Sequence, residues 1–197
     1  MKERPIIFSG DMVRVILDGK KTQTRRVIKP QPEMFNHGFP CTNNDGMITC
    51  PYGEAGDLLW VKENAWISPA EWCKRDDATH FDYEDKARVV QYEATVPDGW
   101  AAGEHGIKKR SSLLMPKWAS RIRLKVEDVR VERVQEIINH FMDVRKEGIP
   151  ATGGHGEFAW VWDKINAKRG YSWDSDPWVW VIDFSVVEVK EGANGGI

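Results

Sequence analysis

Four basic side chains crowd two threonines in the run Gly19-Lys20-Lys21-Thr22-Gln23-Thr24-Arg25-Arg26. Cation density of this kind serves either to bind phosphate or to lower the pKa of one lysine until its amine is partly neutral near pH 7. A neutral amine accepts a proton from a threonine hydroxyl, which is otherwise too weak a nucleophile. In an extended chain Thr22, Thr24 and Arg26 project from one face and Lys21, Gln23 and Arg25 from the other, although a tight turn after Gly19 could still bring Lys21 beside Thr24. Taken alone, such a run is most often a solvated or anion-binding strand. Glu147 is the second residue of interest. If Gly148 is the glycine just past a helix, Glu147 sits at the negative pole of the helix dipole, which raises a carboxyl pKa. With partial burial it then donates a proton near neutrality. An exposed glutamate beside Arg145 and Lys146 is the plainer reading unless Glu147 faces Lys21.

The elements that must position these groups are short. Ser9 or Asp11 caps a helix whose apolar stripe is Met12, Val13, Ile16 and Leu17 and whose stop is Gly19. The stretch through Ile28 is extended, and residues 29–56, rich in Pro, Gly and Asn, read as a long loop with little regular structure. A strand is expected over Asp57–Trp66, with Leu59 and Val61 on one face and Leu58, Trp60 and Lys62 on the other. Val89–Ala94 is a shorter strand, and residues 67–117 read as an insertion.

Ile122, Leu124 and Val126 alternate at even positions and Val129 and Val131 at odd ones, so a bulge or tight turn is expected near Glu127-Asp128. A helix follows from Val134 to Met142, ending by Gly148, and a second carries Phe158, Val161, Trp162 and Ile165 on one face. Trp178–Val189 is a largely buried strand, and residues 191–197 are a flexible tail. The sum is a small α+β domain over 1–190 with a mostly antiparallel sheet, suited to curling into a barrel.

Composition narrows the function classes. The chain has 197 residues, enough to fold without disulfides or a structural metal. Cys41, Cys50 and Cys73 match no metal or redox spacing, and a site joining His37 to Cys41 and Cys50 is a weak alternative to idle thiols. The net charge of −2 excludes a globally basic nucleic-acid binder. Charge is nevertheless segregated: Lys108–Arg133 carries nine basic against three acidic residues, a local +6, and Glu71–Asp85 carries six acidic against two basic, a local −4. A solvated strand face explains that as well as a polyanion site does. Ten tryptophans belong mostly to the core and its edges, with some free to stack on bases. No apolar run is long enough for a membrane span and no secretory signal opens the chain, so a cytoplasmic protein is expected. Phosphate-cradling glycine loops and metal motifs are absent, and no cofactor is expected.

The stretch Ile16-Leu17-Asp18-Gly19-Lys20-Lys21-Thr22-Gln23-Thr24-Arg25-Arg26 resembles the signature of ASCH domains, members of the PUA-like superfamily of small β-barrels associated with RNA. Further blocks resemble the ASCH-like proteins of phages and prophages. They are Gly56-Asp57-Leu58-Leu59-Trp60-Val61-Lys62-Glu63, Met115-Pro116-Lys117-Trp118-Ala119-Ser120-Arg121, Trp162-Asp163-Lys164-Ile165-Asn166 and Asp176-Pro177-Trp178-Val179-Trp180-Val181. The resemblance implies a PUA-like barrel with flanking helices. At the first motif the chain is also similar to N4-acetylcytidine amidohydrolases, whose lysine, threonine and glutamate act as proton acceptor, nucleophile and proton donor. That implies Lys21, Thr24 and Glu147 in those roles, with Glu136 or Glu63 as other carboxylates for the third.

Other relatives are associated with binding or cleaving RNA, which implies Lys20, Thr22, Arg25, Arg26, Trp60, Lys62, Glu63, Trp118 and Arg121 as substrate or nucleic-acid contacts. The expected partner is a nucleoside or RNA, with DNA as an alternative. A non-catalytic binding module, a ribonuclease-like protein and a phage accessory or morphogenetic protein are the competing functions.

Overall fold

The structure, a computed structural model, describes residues 1–36, 39–41, 46–67, 89–97, 108–139, 141–150 and 152–190. Among these residues ten strands form: β1 (Glu3–Ile7), β2 (Gln23–Val27), β3 (Met34–Asn36), β4 (Phe39–Cys41), β5 (Leu58–Lys62), β6 (Ala65–Ile67), β7 (Val89–Tyr92), β8 (Lys108–Arg110), β9 (Ile122–Arg133) and β10 (Trp178–Val189). Three α-helices among the described residues join them: α1 (Gly10–Leu17), α2 (Phe141–Lys146) and α3 (His155–Asn166). The strands make one five-stranded sheet in the order β1-β5-β9-β10-β2, a β3-β4 pair and a three-stranded β7-β6-β8 sheet.

The α+β class is as expected, but the PUA-like barrel is not formed. The five-stranded sheet is open, with β1 and β2 at its edges. One cause lies at β2. On one side it pairs antiparallel with β10, Gln23 opposite Asp183 and Val27 opposite Val179. Just ahead of it the chain meets the end of α2 instead of another strand: Thr22 N donates to Lys146 O at 2.8 Å, and Lys21 and Glu147 form an isolated bridge. Covering an edge in this way answers the need for backbone partners without closing the sheet.

The described chain divides into two compact units. The first, Met1–Arg4, Val15–Leu59 and Leu124–Val186, has a core of Val134, Ile137, Val144, Ile149, Phe158, Trp162, Val179 and Val181. Each such side chain contributes about 1.5–3 kcal/mol by leaving water. Phe158 and Trp162 lie one helical turn apart on α3 with ring centroids 6.2 Å apart, and the Trp162 indole N–H donates to Tyr171 O. Val161 packs partly against them, but Ile165 remains exposed, so the inward face of α3 is shorter than the apolar spacing predicts. The second unit, Pro5–Arg14, Trp60–Arg123 and Val187–Ile197, has a small core of Ala65, Ile67, Tyr92, Met115 and Ala119.

Several boundaries differ from expectation for local reasons. Residues 29–56 hold the β3-β4 pair. The strand expected over 57–66 is two strands, β5 and β6, with Glu63 and Asn64 between them. Leu59 and Val61 are buried on β5 as the alternation requires. β9 is one unbroken strand with no turn at Glu127-Asp128. Its even face buries Ile122, Leu124 and Val126 and then continues as Arg130 and Glu132, so the hydrophobic pattern ends where charged partners begin. The helix expected from Val134 begins as a 3-10 turn, Val134–Asn139, before α2. β10 spans the expected residues, but its last four are exposed.

Of the expected insertion, the described residues form β7 and β8, which pair with either side of β6. The acidic run Glu71–Asp85, Cys73, His37 and the tail 191–197 lie outside the described residues. Cys41 and Cys50 are free thiols, and no group of metal-ligating side chains assembles among the described residues. No described helix is long and apolar enough to cross a membrane.

Candidate functional site: a buried ion network around Lys21 and Glu147

Two glycine-closed helix ends build this site within the first unit. Ser9 opens α1, its hydroxyl accepting from Met12 N at 3.4 Å. At the other end Gly19 takes φ +69°, with Gly19 N bonded to Ile16 O and Lys20 N to Val15 O, both at 2.9 Å. This glycine-plus-two-bonds closure turns the chain sharply, and Lys21 follows two residues later. α2 closes the same way: Gly148 takes φ +85°, Gly148 N bonds Arg145 O at 2.8 Å and Ile149 N bonds Val144 O at 3.3 Å. Glu147 is therefore the last residue before the left-handed glycine. A Cβ on Gly148 would lie 2.9 Å from Val15 Cγ2 and 3.2 Å from Lys21 Cβ, so only glycine lets the two ends approach.

The approach brings Lys21 Nζ to 2.7 Å from Glu147 Oε2 and to 2.7 Å from the Glu147 carbonyl oxygen. Lys21 is 2% exposed and Glu147 5%. Both carboxylate oxygens of Glu147 accept hydrogen bonds, because Arg25 Nη1 donates to Oε1 at 3.2 Å. The proton-donating glutamate expected from the helix dipole is instead an acceptor held by two cations.

Arg25 is the hub. Its Nη2 reaches Glu132 at 3.0 Å and Asp143 at 3.3 Å, and its Nη1 donates to Gln23 Oε1 at 2.5 Å. Gln23 Nε2 donates to Asp183 at 2.8 Å. Arg130 completes the ring with hydrogen bonds to Glu132, Asp143 and Asp183. Strand alternation explains the convergence: Lys21, Gln23 and Arg25 share one side of the β2 segment, and Arg130 and Glu132 share one face of β9. Asp143 and Glu147 stand four apart at the end of α2, the spacing of one helical face.

The electrostatics follow from burial. Desolvation pushes the Lys21 amine below its ordinary value, Glu147 opposes that, and Arg26 and Arg25 add to the lowering. Burial pushes the Asp143 carboxyl up, but the Arg25 guanidinium, with Lys146 and Arg130, holds it below the usual carboxylate range. Arg26 is also lowered, chiefly by desolvation.

Thr24 does not join the group. It is buried opposite Ile182 of β10, on the other side of β2 from Gln23 and Arg25, and its hydroxyl makes no hydrogen bond to Lys21. The turn after Gly19 therefore leaves the lysine and the threonine on opposite sides. Thr22 is exposed and bonded only through its backbone, and Lys20 is exposed with its amine 2.9 Å from Asp18. Arg26 lies with its guanidinium 5.9 Å from the Tyr52 ring centroid.

The remaining predicted contacts belong to the second unit. Glu63 and Arg121 form a buried two-point ion pair at 2.9 and 3.0 Å, with Arg121 stacked 4.0 Å from the Tyr92 ring centroid. That pair fastens the unit, and Glu63 is not the third group beside Lys21; Glu136 is exposed. Lys62 donates to Leu113 O and stands 5.5 Å from the Trp60 ring centroid. Trp118 is exposed.

Six of the nine cations of the basic stretch are spoken for. Lys109, Arg121, Lys125 and Arg130 pair with carboxylates, Arg123 donates to Ser120 O, and Arg133 donates to Asp176 O while stacking on Trp178. The stretch is thus no continuous polyanion track.

Sequence reading missed Gln23, Arg130, Glu132, Asp143 and Asp183. The available signals were the i,i+2 pairs Gln23/Arg25 and Arg130/Glu132 and the i,i+4 pair Asp143/Glu147.

No family model matches the sequence, and no curated protein matches it. Among solved structures, this chain is similar to the crystal structure of protein EF3133 from Enterococcus faecalis V583, of family DUF984. The alignment covers 100% of this chain and 86% of that one at 10% identity, with a TM-score of 0.45, a likeness too slight to fix fold or function.

Proposed function

We propose that the protein hydrolyses an amide on a nucleoside or nucleobase, with Lys21 and Glu147 as its proton-moving pair. One observation carries the reading: an amine and a carboxylate 126 residues apart in the chain meet at 2.7 Å in a buried setting. Burial lowers the pKa of the Lys21 amine, which favours its neutral, proton-accepting form. A neutral amine is the base that amide hydrolysis needs, and Glu147, accepting from Lys21 Nζ at 2.7 Å, orients it and holds the ammonium that forms.

A water molecule gives a proton to Lys21 Nζ and its oxygen bonds to the carbonyl carbon. The carbon–nitrogen bond then breaks, the departing amine takes that proton back from the Lys21 ammonium, which Glu147 holds at 2.7 Å, and the products are a carboxylic acid and an amine. Thr24 lies across the strand, so water is the attacking group in this reading; the threonine nucleophile implied by the motif is the competing one. A nucleoside or RNA substrate accords with a cytoplasmic site of action.

Incubation of the folded, monodisperse protein with N4-acetylcytidine, followed by chromatography, tests the reaction. Release of cytidine that is lost in Glu147→Gln and kept in Thr24→Ala supports the water mechanism. Loss in Thr24→Ala favours the threonine. No release from the wild type removes the hydrolytic reading for this substrate.

A further inference from the structure

The Lys21–Glu147 contact has a third member, Arg25, in a role the resemblance does not give it. Arg25 grips the carboxylate by the oxygen that Lys21 leaves open: Lys21 Nζ donates to Oε2 at 2.7 Å and Arg25 Nη1 to Oε1 at 3.2 Å. The rest of the guanidinium fork is committed as well. Nη1 also donates to Gln23, and Nη2 donates to Glu132 and Asp143, so both N–H groups of each Nη have a protein acceptor. Only Nε, buried on the stem side of the fork, has no partner. The fork therefore meets the reaction through Glu147.

A neutral amine has two N–H groups and one lone pair. Glu147 offers Lys21 Nζ two acceptors, Oε2 and its main-chain oxygen, each at 2.7 Å, so the remaining corner of the amine is the lone pair that takes a proton. That aim holds only while the Glu147 side chain stays in place, and Arg25 fixes it from the far side. Arg25 is braced in turn, because Gln23, which accepts from its Nη1, is tied to Asp183. Charge fits the same role. When the amine is neutral, Arg25 remains to answer Glu147, while Arg130 pairs with Glu132, Asp143 and Asp183, and Lys146 stands 3.4 Å from Asp143. The charged groups that face Lys21 are Glu147, Arg25 and Arg26; burial and then the two arginines lower the amine's pKa against the pull of Glu147. Fastening β2 to α2 is a poor account of so many ions, since buried pairs often stabilise no more than apolar side chains of similar volume.

We propose that Arg25 is the positioning residue of this site: it holds Glu147 so that the Lys21 lone pair is aimed, and it answers the glutamate's charge while the amine is neutral. Aiming a base matters only if Lys21 serves the hydrolysis proposed above, but the state of its amine is measurable without any substrate.

Arg25→Gln removes the charge and keeps a polar side chain. Carbon-13 NMR of lysine-labelled full chain follows the Lys21 amine, identified by the signal missing in Lys21→Met. In Arg25→Gln that amine is expected to titrate about one pH unit or more above its wild-type midpoint, because one of two cations on a single carboxylate is gone. With N4-acetylcytidine as substrate, the rise of kcat/KM with pH moves up with it, about a tenfold loss at a fixed pH below the rise, and KM is unchanged. Arg25→Lys, which keeps the charge, brings the midpoint back toward the wild type. If Arg25→Gln does not fold, Arg25→Gln/Glu132→Gln, which also removes a carboxylate that lost its partner, carries the same measurement. An unmoved Lys21 titration in either folded variant, even with stability lost, is a purely structural role and overturns the proposal. A raised KM with an unmoved pH profile makes Arg25 a substrate contact and overturns it too. No cytidine release from the wild type removes the hydrolytic reading alone, and the NMR midpoint still decides whether Arg25 governs the Lys21 amine.

Discussion

Replacing Lys21 with methionine keeps most of the aliphatic stem and deletes the charge. Glu147 then loses two donor contacts of 2.7 Å, one to its carboxylate and one to its carbonyl, where the lysine side chain is 2% and the glutamate 6% exposed. Removing one member of a buried ion pair costs about 3–5 kcal/mol, because the remaining charge is stranded in a poor solvent. Arg25 still holds the other carboxylate oxygen at 3.2 Å. The lower end, about 3 kcal/mol, is therefore expected. For a chain of this size that is a fall in melting temperature of about 6–12 °C.

Urea and thermal denaturation followed by tryptophan fluorescence measure it. Adding Glu147→Leu to the methionine variant removes the stranded charge and leaves Arg25 with Glu132 and Asp143, so about 1 kcal/mol or more returns. The pH dependence has a definite sign. Burial lowers the folded pKa of Lys21, so between that value and the ordinary lysine range of about 10.4 the unfolded chain binds more protons. The contribution of this group to stability therefore rises with pH across that window, and the gap between wild type and Lys21→Met widens toward alkali. A loss below about 0.5 kcal/mol, or a double variant as unstable as the sum of its parts, refutes the buried pair.

Two further outcomes follow from neighbouring residues. Gly148→Ala and Gly170→Ala each force an L residue to φ +85°, but a Cβ at Gly170 meets nothing within 4 Å, whereas one at Gly148 meets Val15 and Lys21. Both lose about 1–2 kcal/mol from conformation, and Gly148→Ala loses about 1–3 kcal/mol more from crowding; equal losses in urea titrations would contradict the close approach. Asp143, held below the carboxylate range by its cationic neighbours, adds stability that is present above about pH 3.9 and disappears as pH falls through its folded value. Asp143→Asn therefore flattens the acid side of the stability profile, and an unchanged acid side in denaturation series refutes that role.

Much of the local structure was legible in the sequence. Ser9 and Gly19 mark the ends of α1, Leu59 and Val61 face inward on β5, and the alternation that separates Lys21, Gln23 and Arg25 from Thr24 holds in the folded chain. That alternation argues against Thr24 as the partner of Lys21 more strongly than the turn after Gly19 argues for it. The identity of the partners was not legible. Arg25 finds Glu132 and Asp143 at separations of 107 and 118 residues, and no local period encodes which acid a buried guanidinium meets. In β9 the long strand forms as its alternation requires, without the tight turn near Glu127-Asp128: the apolar alternation of Ile122, Leu124 and Val126 gives way to Arg130 and Glu132, which are paired with each other. The open sheet was hidden because the element that covers the β2 edge is a helix terminus, and nothing in β2 itself distinguishes that cover from a closing strand.

The long reach of these contacts bears on how the molecule is made. Gln23 must wait for Asp183, 160 residues further on, before its hydrogen bond exists. During synthesis at about 5–20 residues per second, β2 therefore spends roughly 8–30 s without the strand it pairs with. Throughout that interval three future members of the buried network, Lys21, Gln23 and Arg25, are hydrated and keep the nascent segment soluble. The polar groups that are costly to bury in the finished protein protect it while the ribosome is still at work.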